Sequence, residues 1–523
     1  MPVSSKLLYC TFFMELKLPS YTVLFTSFVF LFMVLNIFVK RAKPAGSYSK
    51  LPPGPWKLPF VENMHQLFGS LPHHALRDLA KKHGPFMYLK IGQVPTIVVS
   101  SPEFAKEVMR FHDTIFAFRP RLLFSQVIAY DCTDVAFAPY GEYWRQVRKI
   151  CVLELLSAAR VQSFRHIREE EVFNLVEWVA SNVGSVIDLT KRIESTTFSI
   201  ISRAAFGGKS KDHEDFISIV AEASEALGSF CLVDSFPSLG SFLEVITRER
   251  AKLENMRQRA ARIFEIIIKK HEAEIQKGKT RKTEDLVDVL LKLHNNDHLE
   301  FSLTSDNVKA IIWDIFAAGG ETATTTIDWA MAEIIKNPRV MKRVQDEVRE
   351  IFGRQGSLDE ACISEMTYFK CVVKETLRLH PAAPLLLPRE CGEKCEINGF
   401  VIPAKTRIIV NAWAIARDSR YWIEPESFIP ERFLDSSVDY KGINFEYIPF
   451  GAGRRICPGI SFGMSNVELQ LALLLYHFDW ILPNGMKPED LDMTDSFGTA
   501  VRRKYGLLLI PISYNPTPVA KSE

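Results

Sequence analysis

Cys457 stands in the stretch FGAGRRICPG, between two arginines and a Pro-Gly step. The apolar run that follows it predicts a buried helix. A thiol at the N-terminus of a helix faces free N–H groups and the positive end of the helix dipole, and Arg454 and Arg455 add positive charge. The sequence therefore predicts a lowered thiol pKa. A structural cysteine, a nucleophile, half of a disulfide and a metal ligand all stay open.

A polar segment, AGGETATTT from Ala318 to Thr326, lies in the middle of a predicted buried helix that begins after a cap at Thr304 and ends before Asn337. Glycine inside a helix costs about 0.5 to 1 kcal/mol relative to alanine, and such a conflict in a buried element usually accompanies function. On one interpretation the glycines open the helix groove to a small ligand, while Glu321 and Thr322 carry protons. On the other, the glutamate faces solvent and the threonines bond back to carbonyls, and this helix alone favours neither.

Glu375 and Arg378 in KETLRLHP are three residues apart, so they share one face of a predicted helix and are close enough to pair. Arg432, in the PERF turn, is a third charge that could complete a buried ion network. The alternative is a surface salt bridge, which is worth less than about 1 kcal/mol. The Glu-x-x-Arg spacing recurs elsewhere in the chain, so it is weak evidence by itself.

The composition is that of one large globular unit behind an N-terminal appendix: 523 residues, 47% hydrophobic and 24% charged, with a formal net charge of +2. This near-neutral balance gives no indication of nucleic-acid binding. The 9 cysteines include no Cys-x-x-Cys, which argues against a disulfide scaffold or zinc site and favours a reducing compartment. Cys391 and Cys395 flank GEK and could pair or bind metal, but we interpret them as structural.

Residues 18–39 carry no charged side chain and are long enough, at about 1.5 Å per residue, to cross a bilayer core of about 30 Å. Lys40, Arg41 and Lys43 follow at once, so the positive-inside bias predicts an uncleaved single-pass anchor with residues 1–17 in the lumen and the body in the cytosol. A cleaved signal peptide is the alternative. Residues 40–60 are interpreted as a basic, proline-rich hinge and 61–523 as the globular domain. Met1 and Met14 both stay open as the start.

The globular domain is predicted to be mainly helical. Long apolar-periodic segments begin near Val161, Asp215, Leu243, Asp285 and Asn337. PFMYLKIG, PTIVVS and TRIIVNAW are short strand candidates. These elements must bring the polar motifs together.

Taken together, the motifs resemble those of the cytochrome P-450 superfamily. FGAGRRICPG is similar to its haem-thiolate loop, AGGET to its oxygen-activation motif, and WRQVRK at Trp144 to Lys149 to its C-helix Trp-x-x-x-Arg. Glu375/Arg378 and the PERF element match in the same order, so the resemblance extends from Pro52 to about Ile512. It implies a mainly α fold, a helix-rich haem domain with small β-sheets, behind one N-terminal transmembrane helix.

The resemblance also implies the roles of individual residues. Cys457 is the thiolate ligand of the iron of heme b (iron protoporphyrin IX), donating electron density that favours O–O cleavage. Glu321 and Thr322 relay protons, and the network of Glu375, Arg378 and Arg432 is structural. The residues implied to bond the haem propionates are Trp144, Arg148, Arg389 and Arg455.

Two positions depart from the family pattern. Ala323 stands where a serine or threonine usually ends the proton-relay motif, which removes a hydroxyl. Glu62-Asn63 stands where Gly-Asn is usual, so the local turn there is in question. Neither departure affects the motifs that resemble the haem and oxygen sites.

The hinge, WAMAE and FAPYGEYWRQVRK resemble plant endoplasmic-reticulum enzymes of specialised metabolism, and the segment around Cys457 is most similar to oxidases of diterpenes and sesquiterpenes. Indole-alkaloid and phenolic hydroxylases are the alternatives. The segments that the resemblance places over the haem are LLFSQVIAY (122–130), AAPLLL (Ala382–Leu387) and FGTAV (Phe497–Val501), together with Phe316 and Ala317. They are almost all apolar, which suits a hydrocarbon-like substrate. The lining residues predicted from them are Phe316, Ala317, Ala383, Leu385, Leu386 and Thr499.

The chain has no dinucleotide-binding Gly-x-Gly-x-x-Gly motif. NADPH electrons for the reduction of O2 are therefore expected from a separate flavoprotein, NADPH-cytochrome P-450 reductase. Arg145, Lys149 and Lys370 could form part of its docking face. Two other classes stay open: a haem-thiolate isomerase or dehydratase that needs no reductase, and a non-enzymatic haem carrier.

Overall fold

The structure, a computed structural model, describes residues 51–208, 213–229, 231–277, 284–294, 303–355, 358–496 and 498–514. The predicted lumenal segment 1–17, the transmembrane anchor 18–39 and residues 40–50 of the hinge lie outside the described residues.

Most of the described chain forms α-helices, which confirms the mainly helical prediction. Their apolar faces pack into a large shared core. In chain order the helices are α1 (Pro72–His83), α2 (Pro102–Lys106), α3 (Leu123–Val127), α4 (Glu142–Ile150), α5 (Ala158–Ser163), α6 (Arg165–Ala180), α7 (Leu189–Phe206), α8 (His213–Gly228), α9 (Leu232–Ser235), α10 (Gly240–Thr247), α11 (Glu249–Gln276), α12 (Leu286–His294), α13 (Ser305–Lys336), α14 (Pro338–Gln355), α15 (Thr367–Leu379), α16 (Ala412–Ile415) and α17 (Ile460–His477).

The strands form small sheets at the side of the helical core. The first sheet has the order β1 (Phe86–Ile91), β2 (Val94–Val99), β7 (Arg407–Val410) and β4 (Arg389–Glu390), with β2 and β7 parallel. The others combine β3 (Ile187–Asp188), β9 (Leu508–Ser513) and β8 (Phe478–Ile481), and β5 (Cys395–Ile397) with β6 (Phe400–Ile402). The three strands predicted from sequence are confirmed as β1, β2 and β7.

The described part of the hinge, residues 51–60, packs along β1. The Tyr88 N–H donates to Pro53 O over 2.8 Å, and a Cβ built on Gly54 would lie 2.0 Å from Tyr88 O. A glycine is needed there because any side chain would meet the strand. From Leu51 onwards the proline-rich segment therefore belongs to the surface of the domain.

The departure at Glu62-Asn63 keeps a turn. Glu62 adopts a φ of 50°, in the left-handed region that glycine enters without strain. Its carboxylate lies 3.1 Å from Lys90 Nζ, and Asn63 Oδ1 accepts the Lys90 backbone N–H at 2.8 Å. Contacts with β1 therefore hold the turn in the absence of the usual glycine.

Helix α13 has the predicted bounds. The Thr304 hydroxyl accepts from the Asn307 N–H at 3.2 Å, and the Asn307 side chain accepts from the Thr304 N–H at 2.9 Å, so both ends of a capping box are made. With 32 residues the helix is about 48 Å long. It packs against α7 and α17 and carries the polar segment through the core.

The glycines in the middle of α13 serve helix packing. A Cβ on Gly320 would lie 2.2 Å from the Phe198 ring of α7, and one on Gly319 would lie 3.2 Å from Ile201 Cδ1. The interpretation that these glycines open the helix groove to a ligand was therefore wrong. They let two core helices approach each other closely.

One region of the described chain, His213–Ser235, is long and apolar enough by composition to cross a membrane. Core helices of soluble proteins satisfy the same criterion. Residues 226–229, together with Cys231, Asp234 and Ser235, form part of a cavity wall here. The region is thus an integral part of the domain.

Candidate active site

Cys457 lies between the 3-10 turn Gly453–Arg455 and α17, with part of its surface exposed. Its N–H donates to Phe450 O over 3.0 Å, which closes the loop. Burial raises the pKa of the Cys457 thiol, while the Gly459 N–H and the charge of Arg148 lower it. The predicted lowering of this pKa was therefore wrong for the free thiol, because desolvation outweighs the favourable charges. Coordination to a metal ion would deprotonate the thiol regardless.

Four arginines point inward around this loop. Arg389 donates to Ala452 O over 2.9 Å, and Arg148 donates to Ile456 O. Most partners of the set are backbone carbonyls, which hold the guanidinium groups in place without neutralising them. The four are Arg119, Arg148, Arg389 and Arg455.

The inward-pointing arginines carry excess positive charge. Burial lowers the pKa of each of the four arginines. Repulsion from neighbouring arginines also lowers the pKa of Arg119 and of Arg455, and the pKa of Arg455 falls to about 9. The nearby carboxylates are Asp113 and Asp134, and burial raises the pKa of Asp134 to about 6. Such a cluster is suited to an anionic group with several carboxylate oxygens.

Trp144 of α4 supports this cluster in a way the sequence did not predict. Its indole N–H, the single donor of the side chain, donates to Val135 O over 3.0 Å. The Arg455 guanidinium lies over its ring, 4.1 Å from the centroid. Trp144 therefore contributes a stacking surface for Arg455, and its bond to a haem propionate stays a prediction.

Glu321 of α13 is buried and ion-paired, so the alternative of a solvent-facing glutamate was wrong. Arg502 Nη2 lies 3.1 Å from Glu321 Oε1, and Arg502 Nη1 lies 2.7 Å from Glu194 Oε1. Burial raises the pKa of the Glu321 carboxyl, whereas Arg502 and a hydrogen bond with Ser224 lower it. A chain of charged groups thus leads from the partly exposed Glu194 to the middle of α13.

Thr322 borders an open space beside α13. Its hydroxyl donates to Ala318 O over 2.6 Å, as the second sequence interpretation proposed. Ala318 is nevertheless exposed in the middle of a buried helix, and Thr322 is partly exposed one turn away. Ala323, the departure from the family motif, is buried. The hydroxyl of Thr322 can exchange its carbonyl partner for a ligand in this space by rotation about one bond.

Glu375, Arg378 and Arg432 come together in the core. Arg378 holds both carboxylate oxygens of Glu375, at 2.8 and 2.9 Å, and Arg432 Nε donates to Glu375 Oε1 over 3.0 Å. Neither Glu375 nor Arg378 has any exposed side-chain surface. The structure therefore favours a buried network over a surface salt bridge.

A cavity of about 350 Å³ lies between the sheets and the helical core. Half of its lining residues come from four segments, 122–124, 226–229, 384–388 and 498–501, and in the described chain none comes from α13 or from the loop of Cys457. The first, third and fourth were predicted from sequence, whereas the second was not. Charged side chains also reach the cavity, so it is more polar than predicted: Asp234, Glu249, Lys252 and Arg407.

Half of the predicted lining residues border this cavity. Leu385, Leu386 and Thr499 do so, and Thr499 Oγ1 donates to Ser224 O over 3.1 Å. The Thr499 hydroxyl is thus hydrogen-bonded to the backbone, and a ligand would contact mainly the Thr499 methyl group.

The other predicted lining residues lie elsewhere. Phe316 is fully buried and stacks on Phe216 with centroids 4.2 Å apart, so its prediction was wrong because α8 covers this face of α13. Ala317 is partly exposed next to Ala318, outside the 350 Å³ cavity, and Ala383 also does not border it.

Comparison with known proteins is decisive at this point. A family model described as Cytochrome P450 matches residues 52–509. The chain belongs to the cytochrome P450 family. Like other P450s it is a haem-thiolate monooxygenase, which uses O2 and NADPH-derived electrons supplied through a reductase. The isomerase and haem-carrier alternatives are thereby set aside.

Two plant P450s match over nearly their whole length. Premnaspirodiene oxygenase of Hyoscyamus muticus is 50% identical over 493 residues, which cover 94% of this chain and 98% of that one. Tabersonine 16-hydroxylase 1 of Catharanthus roseus is 49% identical over 508 residues, covering 96% and 99%. A zebrafish cytochrome P450 structure with progesterone has the same fold, with a TM-score of 0.71 at 24% identity over 84% of this chain and 99% of that one.

The residues around Cys457 fit the haem of a P450. A haem carries two propionate carboxylates, and the arginine cluster is a buried set of cations short of anions. The exposed face of Ala318 and Thr322 borders space beside α13, and the Cys457 sulfur is not sealed off by the fold. Charge, open space and a soft sulfur donor are what this cofactor requires.

Several residues of this P450 site were missed from sequence. Arg119 donates to Leu387 O over 2.7 Å and joins the arginine cluster, and Arg502 pairs with Glu321. Asp314 of α13 accepts from the N–H groups of Val135 and Ala136, and burial together with the charge of Asp134 raises its pKa well above the ordinary value. The available signal was the presence of charged residues within apolar runs, such as FAFRPRLLF for Arg119.

Proposed function

We propose that this P450 hydroxylates or otherwise oxidises an apolar plant specialised metabolite, most favourably a diterpene or sesquiterpene. The observation that carries the proposal is the run 384–388, whose leucines and prolines wall a cavity of about 350 Å³. Such walls supply shape and apolar burial, which hold a hydrocarbon skeleton. No described residue of α13 or of the Cys457 loop lines this cavity, so we propose it as the substrate's approach to the haem. Premnaspirodiene oxygenase, by its name, oxygenates premnaspirodiene, a diene hydrocarbon, which supports the same choice.

An indole alkaloid or a phenolic is the second proposed substrate class. The observation in its favour is that Asp234 and Arg407 border the cavity, since a basic nitrogen or a phenol would find a partner there. Tabersonine 16-hydroxylase 1 and tabersonine 6,7-epoxidase isoform 1, by their names, act on tabersonine, which supports this class.

In this proposal Cys457 binds the haem iron as a thiolate. The Gly459 N–H and Arg148 lie where they stabilise negative charge on the sulfur, opposing the desolvation that favours the free thiol. Arg119, Arg148, Arg389 and Arg455 hold the propionates. When bound, the haem supplies the activation of O2.

Glu321 and Thr322 are proposed to deliver protons at the middle of α13. Arg502 pairs with both Glu321 and the partly exposed Glu194, so its fixed positive charge holds the Glu321 carboxyl group in place at the middle of α13, where it can exchange protons with water. Burial raises the pKa of the Glu321 carboxyl group, which favours its holding a proton that can be passed on. The Thr322 hydroxyl then orients the proton donor toward the open space.

The protein is proposed to be a single-pass protein of the endoplasmic-reticulum membrane with its catalytic domain in the cytosol. The apolar run 18–39 and the basic residues after it support this arrangement. NADPH-cytochrome P-450 reductase is the proposed partner. Arg145 and Lys149 are exposed on α4 for docking, whereas Lys370 Nζ is held by Ser364 O at 2.7 Å.

Co-expression tests the function directly. The chain is produced with a plant reductase and, in separate cultures, with diterpene and sesquiterpene synthases, and NADPH-dependent oxygenated products are sought by gas chromatography with mass spectrometry. Products from a terpene are expected. Turnover of tabersonine or a phenolic, with none of any terpene, would replace the first substrate class by the second.

The haem assignment has its own test. Cys457→Ser is expected to abolish the thiolate-type absorption band of the reduced carbonyl complex, and Cys371→Ser, a buried cysteine of α15, is expected to retain it. Retention of the band in Cys457→Ser would remove Cys457 as the ligand.

A further inference from the structure

The thiols of Cys391 and Cys395 meet at the turn between β4 and β5, with their sulfur atoms 4.0 Å apart. The function described above uses neither of them. We propose that this pair is a redox modification site: hydrogen peroxide oxidises it to a reversible disulfide, with Cys395 reacting first and Cys391 resolving the intermediate.

The geometry allows the disulfide to close with movement on one side only. A disulfide has a sulfur separation of about 2.05 Å, so the sulfurs must approach by about 2 Å. Cys391 is fixed, because its N–H donates to Thr406 O at 2.9 Å and its carbonyl accepts from the Lys405 N–H at 2.7 Å. Cys395 begins β5, which pairs only with β6 in the described chain. The movement therefore falls on this small hairpin.

The two sulfurs differ in access and in protonation. Cys391 has no exposed surface and its thiol donates to Glu393 O over 2.9 Å, whereas Cys395 is partly exposed. The contact between the sulfurs lowers the pKa of Cys395 and raises the pKa of Cys391. Cys395 is therefore the reachable nucleophile, and Cys391 stays a thiol until the intermediate forms.

The reaction balances with one peroxide for each disulfide. The Cys395 thiolate attacks one peroxide oxygen, the O–O bond breaks, and with one proton the products are a sulfenic acid and water. The Cys391 sulfur then attacks the sulfenic sulfur, its S–O bond breaks, and the second water leaves with the Cys391 proton. Two thiols are oxidised and one peroxide is reduced. Peroxide is the two-electron reduction product of O2, so a monooxygenase that loses electrons before oxygen transfer is a local source.

The position of the pair explains why reversible oxidation is useful. Cys391 lies two residues after Arg389 of the arginine cluster, and the N–H of Gly392, the next residue, donates to Ile115 O over 2.8 Å. A Cβ on Gly392 would lie 2.4 Å from the Phe118 ring, so this turn is tightly packed. Oxidation of a single thiol to sulfinic acid would place a permanent charge there, whereas a disulfide can be reduced again by cytosolic thiols.

The test uses the haem-loaded full chain. Native enzyme is treated with equimolar hydrogen peroxide, free thiols are alkylated before denaturation, and tryptic peptides are analysed by mass spectrometry. Trypsin cleaves after Lys394, so the disulfide appears as the linked peptides ECGEK and CEINGFVIPAK. More than half of the pair is expected in this form, lost on adding dithiothreitol, with the carbonyl complex spectrum retained.

Single variants assign the roles. Cys391→Ser is expected to leave Cys395 as a sulfenic acid that dimedone labels, and then as sulfinic acid with excess peroxide. Cys395→Ser is expected to leave Cys391 reduced, and Cys371→Ser to form the linked peptides like the wild type. The proposal is overturned if both thiols remain alkylated after peroxide treatment, if either forms its main disulfide with another cysteine, or if Cys391 is the residue labelled by dimedone in Cys395→Ser.

Discussion

Two buried clusters of arginine behave differently, and the difference separates structure from cofactor binding. Arg378 uses all five of its N–H donors inside the chain: two on Glu375 and three on the carbonyls of Ala416, Pro425 and Ser427. Its charge faces a carboxylate in bidentate geometry. This network is complete without a ligand.

The arginines around Cys457, in contrast, have fewer hydrogen-bond partners and too few counterions within the protein. Arg148 has one hydrogen bond, to Ile456 O, and the four arginines repel each other across a site with few carboxylates. Chains do not normally bury cations without partners, because desolvation costs several kcal/mol for each ion. The shortage of anions is therefore the physical signature of the bound propionates that we propose.

The largest expected effect comes from breaking the complete network. Glu375→Gln leaves Arg378 and Arg432 buried without their carboxylate, which should lower the free energy of unfolding by about 3 to 5 kcal/mol. Urea unfolding followed by circular dichroism measures it. Asp346→Asn, which removes an exposed ion pair with Lys342, is the control and should change stability by less than about 0.5 kcal/mol. Similar losses for both variants would contradict the comparison.

The two clusters also differ in how far they could be predicted. Glu375 and Arg378 are three residues apart on one helix, and the Thr304 cap lies three residues from Asn307, so local spacing reveals both. Arg119 meets Leu387 across 268 residues, and no local pattern marks such a contact. The family resemblance supplied the other three arginines, whereas the contact of Trp144 with Val135 O joins residues of a helix and the loop before it and was not predicted.

The helical core also contains contacts between distant segments that local sequence patterns do not predict. The bounds of α13 follow from its cap and from the proline after Asn337. The role of its glycines depends on which helix packs against them, and spacing within α13 does not reveal that helix. Gly320 faces Phe198 of α7, a partner that no periodicity in α13 identifies. Likewise, Phe316 is covered by Phe216 of α8, which the sequence left unplaced.

Removing one arginine from the cluster around Cys457 is expected to weaken haem binding with little effect on the stability of the fold. Arg148→Gln removes a charge-assisted bond to a propionate worth about 1.5 to 3 kcal/mol, so haem transfer to apomyoglobin should be about 10- to 100-fold faster. The free energy of unfolding of the apoprotein should change by less than about 1 kcal/mol, because Arg148 has one protein partner. Arg145→Gln, an exposed arginine of the same helix, should leave haem transfer unchanged. Unfolding of apo-Arg148→Gln comparable to that of Glu375→Gln would make Arg148 a structural residue.

Gly320 of α13 and Gly353 of α14 differ in how much space surrounds them, so the same substitution should have opposite effects. Gly320→Ala places a methyl group 2.2 Å from the Phe198 ring and should cost about 1 to 3 kcal/mol, because α7 must shift or Phe198 must leave its rotamer. Gly353→Ala meets nothing within 4 Å on α14 and should stabilise by about 0.5 to 1 kcal/mol. Thermal unfolding of both variants gives the difference. Opposite signs are expected, and a neutral Gly320→Ala would show that the α7 to α13 contact is adaptable.

The smallest expected effect lies at the border of the arginine cluster, where Asp134 meets Asp314. Burial raises the pKa of Asp134 to about 6, above the ordinary value of 3.8, so between these pH values the folded chain keeps a proton that the unfolded chain has released. This contribution to stability is present at low pH and is lost as the pH rises through about 6. Asp134→Asn keeps an acceptor for the Phe137 N–H and cannot ionise. Its stability relative to the wild type should therefore rise by about 2 kcal/mol between pH 4.5 and pH 8, measured by thermal unfolding at both values. A relative stability that falls over this range would mean that Asp134 is ionised and serves Arg455 as a permanent counterion, and the cluster would then have less need of an added anion.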